Sequence, residues 1–257
     1  MNGNVKIDTA MVMSAGLGTR MRPLTDNRPK PLVELAGGAL IDHVLTALHQ
    51  GDVKNIVVNV HYLADQMEEH LSGWDDQFNI KISDERHALM ETGGGLVKAQ
   101  HMLQGDPFFC LNSDNLWVSK DKNIFQEMAQ LWRGDVMDAL LLLVPHENAH
   151  NHIGRGDFNW DGQNLTRRGD DDYAPYIFSG IQIISHNLLK NAPNGPFSTN
   201  ILWDKAMEDG RVHAHIFNGQ WFDIGRPEAI AQTEEYLREN KIEMPAFAHL
   251  KKDSVNG

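Results

Sequence analysis

Short apolar runs alternate with helix-spaced apolar residues along the first half of the chain, and this alternation restricts the fold more than any other feature. Met11–Ser14 reads as a strand, and Asn55–Val60 as a longer, β-branched one. Between them Ile41, Val44, Leu45 and Leu48 keep the i, i+3, i+4, i+7 spacing of an amphipathic helix. Gly51 marks its end. Leu63–Leu71 is helical again, and Asn79–Ser83 is a short strand. Thr92 is placed to cap a helix running to about Met102. Phe108–Asn112 is a strand, Ile124–Trp132 a helix and Asp138–Val144 a continuous apolar strand. Strands apolar on both sides need cover on both faces, which predicts a parallel sheet between helices.

The second half is less regular. Gly154–Gly169 reads as loops and short hairpin strands, Tyr176–Ser185 as a strand, Ile201–Asp209 as a helix and Arg211–Phe217 as a strand. Pro227 suits the first turn of a helix over Glu228–Asn240. No repeat and no Pro/Gly/Ser linker divides the chain. The prediction is one α/β domain over residues 1–245, with a Rossmann-like, mostly parallel (mixed) sheet sandwiched by helices. Residues 246–257 read as a polar tail. Ligands of such sheets lie beyond the carboxyl ends of the strands, which directs attention to residues just after Ser14, Asn112 and Phe222.

With 35 acidic against 23 basic residues the net charge is −12. That excludes the broad cationic face needed for a nucleic-acid polymer. The longest apolar run, Ala139–Val144, is too short to span a bilayer. Residues 1–8 lack a basic stretch followed by an apolar core, so no export signal and a cytoplasmic location are expected. The single cysteine, Cys110, lies inside an apolar strand and is expected to be a buried thiol. Nothing in the composition bears on oligomeric state.

One window departs from this acidic background. Arg20, Arg22, Arg28 and Lys30 fall close together, opposed only by Asp26, a charge pattern that suits a small polyanion such as a nucleotide's phosphates. The same window begins with Gly16 and Gly18, whose backbone can approach phosphate oxygens closely. Met21 replaces the third glycine of a dinucleotide fingerprint, and no Gly-Lys-Ser/Thr is present, so neither common phosphate loop fits. Pro29 and Pro31 flank Lys30 and are expected to hold it in an extended segment.

Gly16-Leu-Gly-Thr-Arg-Met-Arg-Pro-Leu-Thr followed by Arg28-Pro-Lys-Pro-Leu resembles the signature of the sugar-1-phosphate nucleotidyltransferases, and the likeness runs to about residue 235. It implies a nucleotidyltransferase (GT-A-like) fold with a nucleotide-binding half over about 1–115 and a sugar-binding half over about 116–245. It further implies that Ala15, Gly16, Gly18, Thr19 and Arg20 wrap a triphosphate, with Lys30 and Arg20 catalytic. Asn112-Ser113-Asp114 and Trp221-Phe222-Asp223-Ile224-Gly225 resemble the family's two metal turns, which makes Asp114 and Asp223 the expected Mg²⁺ ligands, each following a strand end on the same edge of the sheet. Glu91-Thr92-Gly93-Gly94-Gly95, Gly154–Phe158 and Phe178–Ile181 resemble the N-acetylmuramate 1-phosphate uridylyltransferase branch, which acts in peptidoglycan recycling. That branch implies UTP as the NTP, with Glu91, Thr92, Gly93 and Gly94 along the base, and with Asn112, Asp157 and Gly180 near the sugar. Ser113 stands where many members have glycine, and Asp84-Glu85-Arg86 puts charge just before the base loop. GTP with mannose 1-phosphate is the alternative pair. A non-catalytic nucleotide-binding module is the alternative of another class.

Two further patterns mimic metal sites. His146-Glu147-Asn148-Ala149-His150 matches the H-E-x-x-H motif, which requires both histidines on one helix face. Here it follows Pro145 at a strand end and runs into Asn151-His152 with no apolar stripe, so a connecting loop is expected. Asp170-Asp171-Asp172 lacks the glycine and closing glutamate of a calcium loop and reads as a solvated turn.

Overall fold

The computed structural model describes residues 5–119, 123–245 and 247. Strand β1 (Thr9–Met13) leads into the signature loop, which ends at a small hairpin, β2 (Glu34–Leu35) and β3 (Gly38–Ala39). Then follow α1 (Leu40–Gln50), β4 (Asn55–Val60), α2 (Ala64–Leu71), β5 (Asn79–Asp84), α3 (Glu91–Ala99) and β6 (Phe108–Asn112). The second half adds β7 (Asn115–Val118), α4 (Ile124–Leu131), β8 (Ala139–Pro145), β9 (Ala149–His150), β10 (Phe158–Trp160), β11 (Leu165–Arg167) and β12 (Tyr176–Ile184). It closes with α5 (Asn200–Glu208), β13 (Val212–Ile216), β14 (Gln220–Asp223) and α6 (Pro227–Glu239).

The main sheet runs β11-β10-β12-β6-β1-β4-β5, with β8 on β12 and β13 on β8. Neighbours among β6, β1, β4 and β5 pair in parallel. So do β8 and β13, whereas β12 runs antiparallel to β6 and β8. The predicted mixed, mostly parallel α/β sheet is the one found.

Side-chain alternation assigns the two faces. Ala10, Val12, Phe109 and Leu111 pack into one apolar core with residues of α1, α2 and α4. Met11, Phe108 and Cys110 pack into the opposite core with α3 and α5. Burial pushes the Cys110 thiol up to about 12, so it is inert at neutral pH. A third, smaller core joins Met21, Val33, Leu35, Leu116, Phe222, Ile224 and residues of α6. Met21 is thus buried at the position where a dinucleotide fingerprint has glycine, and it pins the signature loop.

Three expectations need correction. Thr92 does not cap α3: Met90 precedes the helix, and Thr92 lies inside its first turn. The segment around Lys30 is not extended throughout. Pro29 is extended, but Lys30–Leu32 forms a 3₁₀ turn closed by Val33 N–H on the Lys30 carbonyl, 3.0 Å away. Pro31 fits there because first-turn N–H groups have no partner within the helix. Third, β7, β14 and β9 form a separate three-stranded sheet. Of the expected polar tail only Phe247 lies among the described residues.

Candidate active site

The parallel strands β1, β4, β5 and β6 end on one edge, and the loops beyond them surround a cleft of about 260 Å³. The signature loop contributes Ala15, Gly16 and Lys30; the segment entering α3 contributes Leu89, Glu91 and Thr92; the end of β6 contributes Asn112, Ser113 and Asp114. Gly16 has no heavy atom within 4 Å of where a Cβ would stand, so its backbone is open to a ligand. Gly18 serves the loop itself. Its φ is +63°, and a Cβ would stand 2.9 Å from Lys30 Cβ. Its carbonyl also accepts from Thr25 Oγ1 at 2.8 Å. The loop therefore folds back against Lys30, while Thr19 and Arg20 stay exposed.

Lys30 reaches across the cleft, and its ammonium pairs with an Asp114 carboxylate oxygen. Ser113 fixes the Asp114 turn to the first strand: its hydroxyl donates to the Met13 carbonyl at 2.9 Å. That bond explains the serine where many members of the resembled family carry glycine.

Asp223 arrives from a different layer. It does not follow a strand of the main sheet, as expected, but ends β14 in the small sheet. In the antiparallel pairing of β7 with β14, Asp223 stands opposite Asn115, the neighbour of Asp114. That register sets Asp223 beside the Asp114 turn, and the Lys30 charge acts on both carboxylates. Burial alone would raise the Asp223 carboxyl; the nearby His152 imidazole and the charges of Lys30 and Arg20 outweigh it and hold its pKa below the ordinary value. The His152 Nδ1–Asp223 Oδ2 separation is 3.7 Å. Arg20 Nη1 lies 3.6 Å from where a Gly225 Cβ would stand, beside the Asp223 turn.

No group of three His, Cys, Asp or Glu able to hold a metal occurs among the described residues. The partly buried carboxylates of Asp114 and Asp223 are a different kind of donor set, one that would suit Mg²⁺. That ion retains waters and takes one or two carboxylates together with substrate phosphates. The H-E-x-x-H segment is divided between a 3₁₀ turn, His146–Asn148, and β9. Its second histidine stacks on Phe222 with ring centroids 4.6 Å apart, so the segment is not a zinc helix.

Several expected ligand contacts prove to be internal. The N–H groups of Gly93 and Gly94 donate to the Phe197 carbonyl at 2.8 and 3.1 Å. Added Cβ atoms would strike the Phe197 ring and the Gly195 carbonyl at 2.3 and 2.5 Å. These glycines pack the first turn of α3 against residues 195–199; only Glu91 and Thr92 of the four face the cleft. Thr92 Oγ1 also accepts from Thr199 N–H at 2.9 Å. Asp157, expected beside the sugar rather than the nucleotide, is not among the residues that line this cleft. One of its oxygens accepts from Phe178 N–H at 2.9 Å, next to the point where β10 pairs with β12. Gly180 does approach the site. Its φ is +85°, and a Cβ would stand 2.8 Å from Asn112 Nδ2 and 2.6 Å from Asn115 Nδ2. It lies where the β12–β8 register shifts, as bulge glycines do. Gly180→Ala should lower stability by about 1–3 kcal/mol, read from the urea midpoint. A midpoint equal to that of the parent protein would remove Gly180 from the residues that shape the site.

The Nucleotidyl transferase family model matches residues 9–152. The chain belongs to this family. It is 40% identical over 234 residues to an N-acetylmuramate alpha-1-phosphate uridylyltransferase of Caulobacter vibrioides, covering 90% of this chain and 97% of that protein. It is 31% identical over 232 residues to a mannose-1-phosphate guanyltransferase of Emericella nidulans, covering 85% of this chain and 61% of that longer protein. Among solved structures, the inositol-1-phosphate CTP transferase from T. maritima shares the fold, with a TM-score of 0.75, 16% identity and coverage of 96% of this chain and all of that one. No described helix is long and apolar enough to cross a membrane.

His152, Asn59 and Glu85 lie at the site, although sequence reasoning assigns none of them a site role; Glu85 enters there only as part of a charged triplet. Asn59 lies near the carboxyl end of β4, and Glu85 follows that of β5. The edge rule that singled out Ser14 and Asn112 would have found both.

Proposed function

We propose that this chain transfers a uridylyl group from UTP to N-acetylmuramate 1-phosphate, releasing pyrophosphate and forming the UDP-sugar, as one step of peptidoglycan recycling. The observation that carries the reading is the Lys30–Asp114 pair in the signature-loop cleft, with the Lys30 charge acting on Asp223 as well. A phosphate oxygen of the acceptor is already anionic. It attacks the α-phosphorus in line, the new P–O bond forms, and the bond to the β-phosphate oxygen breaks with its electron pair leaving on pyrophosphate. No protein nucleophile is required, so the residues act by placement and charge. Lys30 offsets charge on the transferred group, and Ala15, Gly16 and Arg20 hold the leaving phosphates. Mg²⁺ held by Asp114 and Asp223 would supply Lewis acidity and a template for the two phosphates. A reaction consuming a nucleoside triphosphate belongs in the cytoplasm.

The guanylyl reading keeps the same chemistry with GTP and mannose 1-phosphate, and the fungal relative favours testing it. A purely regulatory nucleotide-binding module is disfavoured because Lys30 and both aspartates are retained. Pyrophosphate release across UTP, GTP, CTP and dTTP against a panel of sugar 1-phosphates decides among them. UTP with N-acetylmuramate 1-phosphate should be the fastest pair. Turnover of GTP with mannose 1-phosphate alone would overturn the branch assignment, and no turnover of any pair would favour the module.

A further inference from the structure

Glu85 is fully buried at the floor of the cleft, yet the mechanism has no use for it. Its neighbours in sequence point outward: the Arg86 guanidinium binds Asp84, Asp65 and Glu68 on the surface. The charged triplet therefore divides, with Glu85 alone turned inward. Its carboxylate meets two neutral donors. Asn59 Nδ2 donates to Oε1 at 2.9 Å, and Met90 N–H donates to Oε2 at 3.0 Å. Asn59, only 2% exposed, in turn accepts from Ser14 N–H at 2.7 Å.

We propose that Asn59 and Glu85 are positioning residues that hold the Met90–Thr92 wall of the cleft in register with the phosphate loop. This rests on the nucleotide occupying that cleft. The hydrogen bonds form one continuous path from Ser14, where the phosphate loop leaves β1, to Met90, where α3 begins. Their polarity explains the residue types. Both groups facing position 85 are donors, so that side chain must accept at each end, which a carboxylate does and an amide does not. Position 59 must accept from Ser14 and donate to Glu85, which an amide does and a carboxylate does not. A carboxylate buried here is costly unless its oxygens are satisfied, and a neutral isostere would break the path.

The wall held in this way is strained. Glu91 follows Met90 with φ of +58°, a conformation that a non-glycine residue keeps only where its surroundings impose it. Glu85 fixes the Met90 N–H, and Phe197 N–H donates to the Met90 carbonyl at 3.3 Å. From above, α3 rests on the pair: a Cβ at Gly95 would stand 3.0 Å from Glu85 Oε1 and 3.2 Å from Asn59 Nδ2.

The test exchanges polarity along the path in the full chain, with UTP as the probe. N59D sets two carboxylates against each other, and E85Q sets a donor against a donor. Each should raise the UTP Kd and KM by about tenfold, the effect of one unsatisfied buried group, while the acceptor KM stays within about twofold. The double change N59D/E85Q restores every hydrogen bond: the new carboxylate accepts from Ser14 and from the new amide, whose oxygen accepts from Met90. Its UTP Kd should return to within about threefold of the parent value. A double variant binding UTP no better than either single one would overturn the proposal, as would folded single variants with unchanged UTP affinity. Should the single variants not fold, Gly95→Ala presses on the same pair without altering its polar groups and should weaken UTP alone; unchanged affinity there also overturns the proposal. A parent protein that binds neither UTP nor GTP would remove the nucleotide reading itself, a result distinct from variants that match a parent that binds.

Discussion

Replacing Lys30 with alanine is expected to lower kcat/KM by about two to four orders of magnitude, the cost of losing a preorganised charge at a transition state. The fold should survive. The Lys30 backbone is held by its own 3₁₀ turn and by Gly18 packed against its Cβ, and the ammonium lies in the cleft rather than in any of the three cores. The pairing with Asp114 gives the variant a second signature. Without Lys30, Asp114 loses the cation beside it, and Asp223 loses one of the charges that hold its pKa down. Lys30→Arg should rescue only partly, because a planar guanidinium cannot replace a compact ammonium at this spacing. Steady-state kinetics with both substrates varied, beside a thermal melt, checks the prediction. Near-normal turnover by the alanine variant would remove Lys30 from the catalytic groups.

The main sheet was legible in the sequence because its strands carry a signal that survives without tertiary context. Asn55–Val60 and Phe108–Asn112 are mostly apolar runs, and both strands have those bounds in the structure. The spacing Ile41, Val44, Leu45, Leu48 placed α1, and all four side chains are buried. The small sheet left no such trace. β9 is two residues long and β7 and β14 four each, too short for a period to be read. Their pairing depends on the third core, where Leu116, Phe222 and Ile224 meet Met21 from a distant part of the chain. The motif residues Asp114 and Asp223 could thus be named from the sequence, whereas the register that joins them could not.

Gly93 and Gly94 illustrate a different limit. A run of glycines records that something comes close to the backbone, and sequence does not record what. A nucleotide base and the Phe197 backbone make the same demand for missing Cβ atoms. Asn59 and Glu85 illustrate the converse. Asn59 lies near the end of β4 and Glu85 in the charged triplet at the end of β5, positions that also fit a solvated strand end. Only their mutual distance distinguishes a buried path from two surface side chains.

Asp114→Asn and Asp223→Asn should each nearly abolish turnover, and the double change should add little. Either substitution preserves shape but removes an anionic ligand suited to a hard cation. If the two carboxylates serve one ion, losing the first already forfeits what the second contributes, so the losses do not multiply. The structure supplies the reason to treat them as a unit: the β7–β14 register sets Asp223 opposite Asn115, and Lys30 bears on both carboxylates. Nucleotide binding should suffer less than kcat, since the loop amides at Ala15 and Gly16 are untouched. Ordinary turn carboxylates would behave otherwise, each costing about 1 kcal/mol of stability with catalysis retained. Single-turnover rates over a Mg²⁺ series, with UTP affinity measured alongside, separate the two cases. Multiplicative losses in the double variant, or full activity in either single one, would show that the carboxylates act independently.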